Sequence, residues 1–482
     1  MEEGPAQGKL SIAAACAQGS GHLLPILNIC TELSKRGHKV KVYMPDFDKE
    51  NTEKLTRKSG SEFVPLDSQG NTEEGMKEKA NQKGTNQFLL WEEIMLPAMR
   101  SEFSKSRPDV VLADFASPAG AAMAEEMNIP LVINIPGPLT GAHVFMGMAD
   151  PSTAVNFLGL HIARQRLSIM ALARFLNLKS FRTLGSKMRH HVGRGAIVLV
   201  QTVWGLDQTT PVYPNIVVTG PVLPPAADLR EKLAKDHGEL YKFLRASEGG
   251  AGVVYVTTGS QVKLFDWQVR ARYHGLKRTK FPVVWSLKEE MQKLLPNKDD
   301  PDFFISKWTP QAELLQDPAI KVVITHCGWG GTLETLTAGK PIVAIPFFGD
   351  QPINASLLKE RGVVEPIGRV PTRVGGAPNP YKEGWMTEGT VYAAVTKVMK
   401  TPSYTEAAQK LMKSSRASGG AAAAAQQVEW AGWYGTDHMK PTNFDHVTGS
   451  NPFSGCFAGL LAVGACAAAV VYLKWGLLSS LL

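Results

Sequence analysis

The sequence predicts an α/β fold: two doubly wound sheets in tandem, their carboxyl edges facing a cleft. Three observations carry this. Short apolar runs of strand length alternate with helical periodicity in two separate series, the pattern of parallel βαβ units. A linker, TGPVLPPAA from Thr219, sets three prolines between the series. In both series, chemistry-bearing residues fall where strand passes to helix, the edge at which open α/β sheets bind ligands.

The 482 residues, 44% hydrophobic and 20% charged, suit about two to three globular domains rather than disorder. The formal charge of +8 is local. No Asp or Glu occurs over 151–206, where Arg164, Arg166, Arg174, Lys179, Arg182, Lys187, Arg189 and Arg194 cluster. The near-neutral remainder argues against a nucleic-acid binder. Cys16, Cys30, Cys327, Cys456 and Cys466 have no ligand spacing, which fits reduced thiols and argues against a zinc site.

The N-terminus opens with two acids and lacks a basic segment leading into a long apolar core, so no secretory signal is expected. At the other end, residues 456–473 form eighteen uncharged residues, followed by Lys474 and Trp475. That length meets the lower limit for a bilayer-spanning helix, with Tyr472, Lys474 and Trp475 as interfacial anchors. The alternative is an Ala-rich helix buried against the protein. The expectation is a C-terminal anchor, with membrane contact extended to the basic region 161–194.

In the first series, residues 10–17 form a strand, 22–36 a helix with Gly37 as its cap, and 39–44 a second strand. Residues 49–84 are charged and Gly/Asn-rich, and read as loops with a short surface helix. Strands are expected at 108–113, 131–135, 196–201 and 216–218, with a helix at 118–127 and helical segments over 141–194. His22 sits where strand meets helix, a place that keeps imidazole neutral. It either caps the helix or acts as a general base. Asp114 ends a strand at the same edge, either as a helix cap or as a carboxylate that fixes the tautomer of His22.

In the second series, strands are expected at 253–257, 282–286, 303–306, 322–325 and 342–345, with closing helices at 391–400 and 405–430. Its centre is the stretch from Trp308 to Gln351. Gly328, Gly330 and Gly331 free the backbone to approach a ligand, and the helix start presents unpaired N–H groups. Together these make an anion site suited to a pyrophosphate. His326 adds a donor, and Trp308 offers a flat face for a base. Glu334 suits ribose hydroxyls, and Asp350 and Gln351 suit a polyol. Each has a bland alternative as core residue or cap, but as an ordered set they describe a nucleotide-sugar site.

This stretch resembles the signature segment of UDP-dependent glycosyltransferases of the GT-B type, the plant secondary-product family in particular. That pattern runs W-x-P-Q, H-C-G-W, E and D/E-Q, matched here by Trp308, Pro310, Gln311, His326, Cys327, Gly328, Trp329, Glu334, Asp350 and Gln351. GSGHLLP resembles the segment carrying the family's catalytic base, VLADFASPAGAAMAEEM the segment carrying its partner Asp, and VVYVTTGS the phosphate loop with Gly259 and Ser260.

The resemblance implies two Rossmann-like domains. Residues 1–222 would bind the acceptor, 223–440 the UDP-sugar, and 441–482 would form a linker and anchor. It implies His22 as base and Asp114 as its partner. Trp308 would stack on uracil, and Gln311 and Glu334 would hold ribose. His326 and its loop would hold the diphosphate, and Asp350 and Gln351 the sugar. Gly21, Gly259, Ser260, Gly328, Trp329, Gly330 and Gly331 are grouped with the donor-binding residues.

Two departures stand out. Gly330 and Gly331 occupy positions where plant enzymes have Asn and Ser, and PFFGDQP is closer to sterol-type enzymes. The expected activity is inverting, metal-independent transfer of a hexose, glucose first, to a small lipophilic acceptor. The alternatives are a membrane-lipid acceptor or a non-catalytic UDP-sugar-binding protein. No cofactor is expected, the UDP-sugar being a co-substrate. The expected location is a membrane, with the catalytic domains in the cytosol.

Overall fold

The computed structural model describes residues 8–444 except 84, 140, 143–177, 208–211, 225, 260–261, 348–349, 368–379 and 443. The first half comprises β1 (Ser11–Ala15), α1 (Ser20–Lys35), β2 (Lys39–Pro45), α2 (Lys49–Lys58), β3 (Glu62–Leu66), α3 (Glu73–Lys83) and α4 (Gln87–Lys105). It continues through β4 (Val110–Asp114), α5 (Pro118–Glu126), β5 (Leu131–Ile135), α6 (Leu178–Gly193), β6 (Ile197–Val200) and β7 (Ile216–Val218).

The second half opens with α7 (Ala226–Asp236), α8 (Gly238–Ala246), β8 (Val253–Val256), α9 (Asp266–Thr279), β9 (Val283–Ser286), α10 (Glu289–Gln292) and β10 (Phe303–Ser306). There follow α11 (Gln311–Leu315), β11 (Ile320–Thr325), α12 (Trp329–Thr337), β12 (Ile342–Ala344), α13 (Gln351–Glu360) and β13 (Val364–Pro366). The closing helices are α14 (Glu388–Lys400), α15 (Pro402–Ala417) and α16 (Gly420–Tyr434).

These strands make two parallel sheets. One has seven strands in the order β3-β2-β1-β4-β5-β6-β7, the other six in the order β10-β9-β8-β11-β12-β13. Helices cover both faces, so every residue of β4 and β5 is buried and these strands read as unbroken apolar runs. In each sheet the strand order reverses beside the first strand of its series, between β1 and β4 and between β8 and β11. The crevice at such a reversal is where a doubly wound sheet binds ligands.

Four expectations need correction. Residues 49–84 hold two helices and the edge strand β3 as well as loops. Pro65 and the exposed Glu62 hid that strand, because only an edge tolerates a residue that cannot donate to the ladder. The helix expected over 405–430 is two helices, broken at Gly419 and Gly420, whose φ values of +86° and +54° favour glycine. There the chain crosses back to the first half. Gly420 N–H donates to the Thr219 carbonyl at 2.8 Å, and a side chain at Gly420 would meet the Pro221 carbonyl.

The basic region is the third. Lys187 binds the buried carboxylate of Glu92 and Arg189 lies over the Phe444 ring, so these two are engaged with the protein, while Arg164, Arg166 and Arg174 lie outside the described residues. The last concerns the C-terminal anchor. Among the described residues no helix is long and apolar enough to cross a membrane, and 456–473 lies outside them. The apolar C-terminal helix, the anchor and the membrane location that rested on it are therefore not supported.

Helix α16 packs its Ala424, Ala425, Val428 and Ala431 into one core with Leu10, Ile12, Ile26 and Val110 of the first sheet and α1. A polar clamp fixes it. Leu10 N–H donates to His38 Nδ1, so His38 Nε2 carries the proton and donates to Glu429 at 2.9 Å; Arg36 reaches the other oxygen at 2.7 Å. Glu429→Ala strands His38 without its acceptor. The expected cost is about 2 kcal/mol, read as a lower urea midpoint with unchanged m-value.

Candidate active site

The loops after β1 and β4 meet at the first reversal point. His22 lies in the first turn of α1, and its Nδ1 donates to Asp114 Oδ1 at 2.9 Å. Asp114 is the last residue of β4 and wholly buried; the same oxygen also receives the Ala116 N–H at 2.9 Å. That geometry fixes the tautomer and leaves Nε2 as the basic nitrogen. Phe88 and Phe115 wall the imidazole at ring-centroid distances of 5.9 and 5.4 Å, while a quarter of its side-chain surface stays open.

Burial opposes the cation of His22. The charge and hydrogen bond of Asp114 outweigh it, with Asp350 of the second half adding to them, and the pKa lies above its ordinary value near 6.5. His22, Asp114 and Asp350 thus form one electrostatic unit spanning both sheets. Gly21, one residue earlier, is exposed with open space around it.

The second reversal point holds a tight nest. His326 follows β11 and lies against Gly259 and Gly328. A Cβ at either glycine would come within 2.5 Å of its ring, so neither position admits a side chain. Gly259 also has a φ of +68°. Burial, then the charge of Arg272, pushes the His326 pKa down to about 4, so the ring is neutral near pH 7 and donates through one N–H. Helix α12 begins beside it with no side-chain cap; Trp329 N–H turns to Asp350 and Thr332 N–H to the Gly328 carbonyl, which leaves the Gly330 and Gly331 amides to face an anion. Ser260 lies outside the described residues.

Trp308 is 63% exposed and meets the His237 ring at a centroid distance of 5.9 Å, so much of its flat surface is open to a ligand. Gln311 donates to Glu334 and accepts from Tyr255 Oη at 3.1 Å, which sets its amide. Burial raises the pKa of Glu334, the Gln311 hydrogen bond opposing. Gly330 and Gly331 differ in surroundings. A Cβ at 330 meets nothing within 4 Å, whereas one at 331 would press to 3.3 Å from the Gln311 amide.

Asp350 touches solvent, yet the protein around its carboxyl raises its pKa. Hydrogen bonds from Asn354 and the Trp329 N–H, and the charge of His22, oppose that rise. Two candidates turn their side chains away from solvent. Trp329 is buried and its indole donates to the Gln201 carbonyl at 2.7 Å. Buried Gln351 accepts from Phe347 N–H at 2.9 Å.

Asn354 is a further member, its Nδ2 donating to Asp350 at 2.7 Å and to the Cys327 carbonyl at 2.9 Å. Cys327 has a φ of +62°, rare for a non-glycine, and this amide helps hold it. The i, i+4 spacing from Asp350 was the sequence signal for Asn354. Taken together, one half offers a base with its orienting carboxylate. The other offers an anion nest, a stacking face and polar acceptors.

A family model described as UDP-glucoronosyl and UDP-glucosyl transferase matches residues 165–417, more than half of the chain. The chain is similar to an anthocyanidin 3-O-glucosyltransferase of Gentiana triflora, 34% identical over 150 residues, covering 30% of this chain and 32% of that one. It is also similar to a flavonol 3-O-glucosyltransferase of Arabidopsis thaliana, 32% identical over 182 residues, covering 35% and 39%. These alignments span only 32% and 39% of the relatives' length. The fold is similar to that of Medicago truncatula UGT71G1 complexed with UDP-glucose, with TM-score 0.65 and 18% identity over 92% of this chain and 99% of that one. The likeness extends across both sheets and identifies the architecture as GT-B.

Two imidazoles, His191 and His326, are held down to about 4. Above about pH 7.5 both are neutral folded or unfolded. As pH falls toward 4 only the unfolded chain gains these protons, so stability drops by about 1 kcal/mol per pH unit for each. His22 shifts the other way and adds no slope in this window. Urea unfolding at pH 6.5 and 5.0 should show the loss, and His326→Gln should reduce it.

Proposed function

This chain belongs to the UDP-glucoronosyl and UDP-glucosyl transferase family, and from that premise we propose that it is an inverting UDP-glycosyltransferase. It moves a hexose, glucose from UDP-glucose, to a hydroxyl of a small lipophilic acceptor of the flavonoid class. The observation that carries the reading is the His22–Asp114 pair at one sheet edge, coupled to Asp350 at the other. The names of the relatives support the glucose donor and the flavonoid acceptor.

In this reading residues 1–222 bind the acceptor and 223–440 the donor. His22 Nε2 takes the proton of the acceptor hydroxyl as its oxygen attacks the anomeric carbon. The bond to the diphosphate oxygen breaks on the opposite face, which inverts the centre, and UDP leaves with the electron pair. Asp114 stabilises the imidazolium that forms. The α12 amides and the neutral His326 donate to the departing diphosphate, whose charge grows in the transition state. Uracil stacks on Trp308. Ribose lies at the Gln311–Glu334 pair, and the sugar hydroxyls meet Asp350 and the turn that Gln351 braces.

A panel of flavonoids and simple phenols with UDP-glucose tests the proposal, with formation of a β-glucoside expected. His22→Ala should lower turnover about 10³-fold with UDP affinity nearly unchanged. Equal turnover by the variant, or UDP-glucose consumption without any acceptor, would defeat the reading.

The raised pKa of His22 keeps its inactive, protonated form present to higher pH than a free imidazole would. The acid limb of kcat/KM should therefore lie above pH 6.5. Asp114→Asn removes the charge holding it there and should move the limb downward while lowering the maximum rate.

A further inference from the structure

Helix α9 buries Gln268, Val269, Arg272, Tyr273 and Leu276, the repeat of a helix face turned to a core. An arginine in such a stripe is anomalous. Two polar side chains of that face differ sharply. Gln268 is satisfied, its Oε1 accepting from Phe265 N–H at 3.0 Å and its Nε2 donating to the Pro380 carbonyl at 2.8 Å. Arg272 is 0% exposed, and none of its three guanidinium nitrogens has a hydrogen-bond partner among the described residues.

The Phe347 ring lies 5.6 Å from its guanidinium carbon. Phe347 follows β12, just ahead of Asp350, so the long side chain runs from α9 toward the carboxyl edge of the sheet, where the loops after β8, β11 and β12 converge. A buried cation without a counter-charge is costly to keep unless something compensates it.

We propose that Arg272 is a positioning residue of the donor site, a fixed positive charge beneath the Gly259–His326–Gly328 nest that draws the donor's diphosphate into it. This rests on the UDP-sugar reading above. Its charge acts on His326 in the nest and has the sign that an anionic diphosphate needs. It also offsets the two positions, Gly330 and Gly331, that carry no polar side chain beside the same nest. Low dielectric makes a buried charge effective without direct contact.

Calorimetric titration of the full chain with UDP and with uridine separates this role from packing. Arg272→Met keeps length and apolar bulk and removes the charge. It should weaken UDP about tenfold and leave uridine unchanged, because uridine has no diphosphate. Arg272→Lys should bring UDP back to within about threefold of wild type. If the methionine variant fails to fold, Arg272→Gln reads the same loss. UDP and uridine weakened equally, or UDP unaffected in a folded variant, would overturn the proposal. Failure of the wild-type chain to bind UDP would instead sink the donor-site reading on which it depends.

Discussion

The hydrogen bond from the Trp329 indole to the Gln201 carbonyl is the constraint on which the rest depends. Gln201 leaves the carboxyl end of β6 and Trp329 opens α12 at the carboxyl edge of the other sheet. One bond of 2.7 Å therefore ties the two edges together. Around it Trp329 packs with Val203 and Leu206 of the first half and Leu333 and Leu336 of the second. Arg361 adds bonds to the Leu206 and Asp207 carbonyls at 2.9 Å each. Neither sheet alone holds a complete site. The base and its carboxylate stand on one and the nest on the other, and chemistry between them needs this spacing kept.

The same residue type is tuned in opposite directions on the two sides. His22 and His326 both lose solvation. His22 faces Asp114 and, across the cleft, Asp350, which carry its pKa upward against burial; burial carries that of His326 downward, with the charge of Arg272 adding to it. One imidazole is thereby prepared to accept a proton and the other to keep a single one and donate a hydrogen bond. Sequence position alone does not distinguish them, since each follows a strand and precedes a helix. The difference is made by the carboxylates that overcome burial at His22.

Much of this was legible beforehand because it rests on local pattern. The βαβ alternation gave both sheets, and His22, Asp114 and His326 announced themselves at strand ends. What stayed hidden depends on partners distant in sequence. Strand β3 carries Pro65 and lies at an edge, so its composition resembles a loop. The break at Gly419 sits inside an Ala-rich run whose periodicity favours one long helix, and only the crossing back to Thr219 and Pro221 explains it. Arg272 reads as one more charge on a polar helix until the fold buries it. Trp329 and Gln351 matched a signature that fixes their place in sequence, not the direction of their side chains. Their packing inward follows from the helices α12 and α13 they begin.

The return of α16 has a consequence for how the chain matures. A ribosome delivers residues from the N-terminus, yet Ala424, Ala425, Val428 and Ala431 share one core with Leu10, Ile12 and Val110. The first sheet thus emerges with part of one face bare, and that strip is covered only after the entire second sheet has been synthesised. During translation the first half waits, incompletely sealed, on a helix that arrives after the whole second sheet. A chain terminated before Gly420 would present this apolar strip to chaperones rather than to its own core.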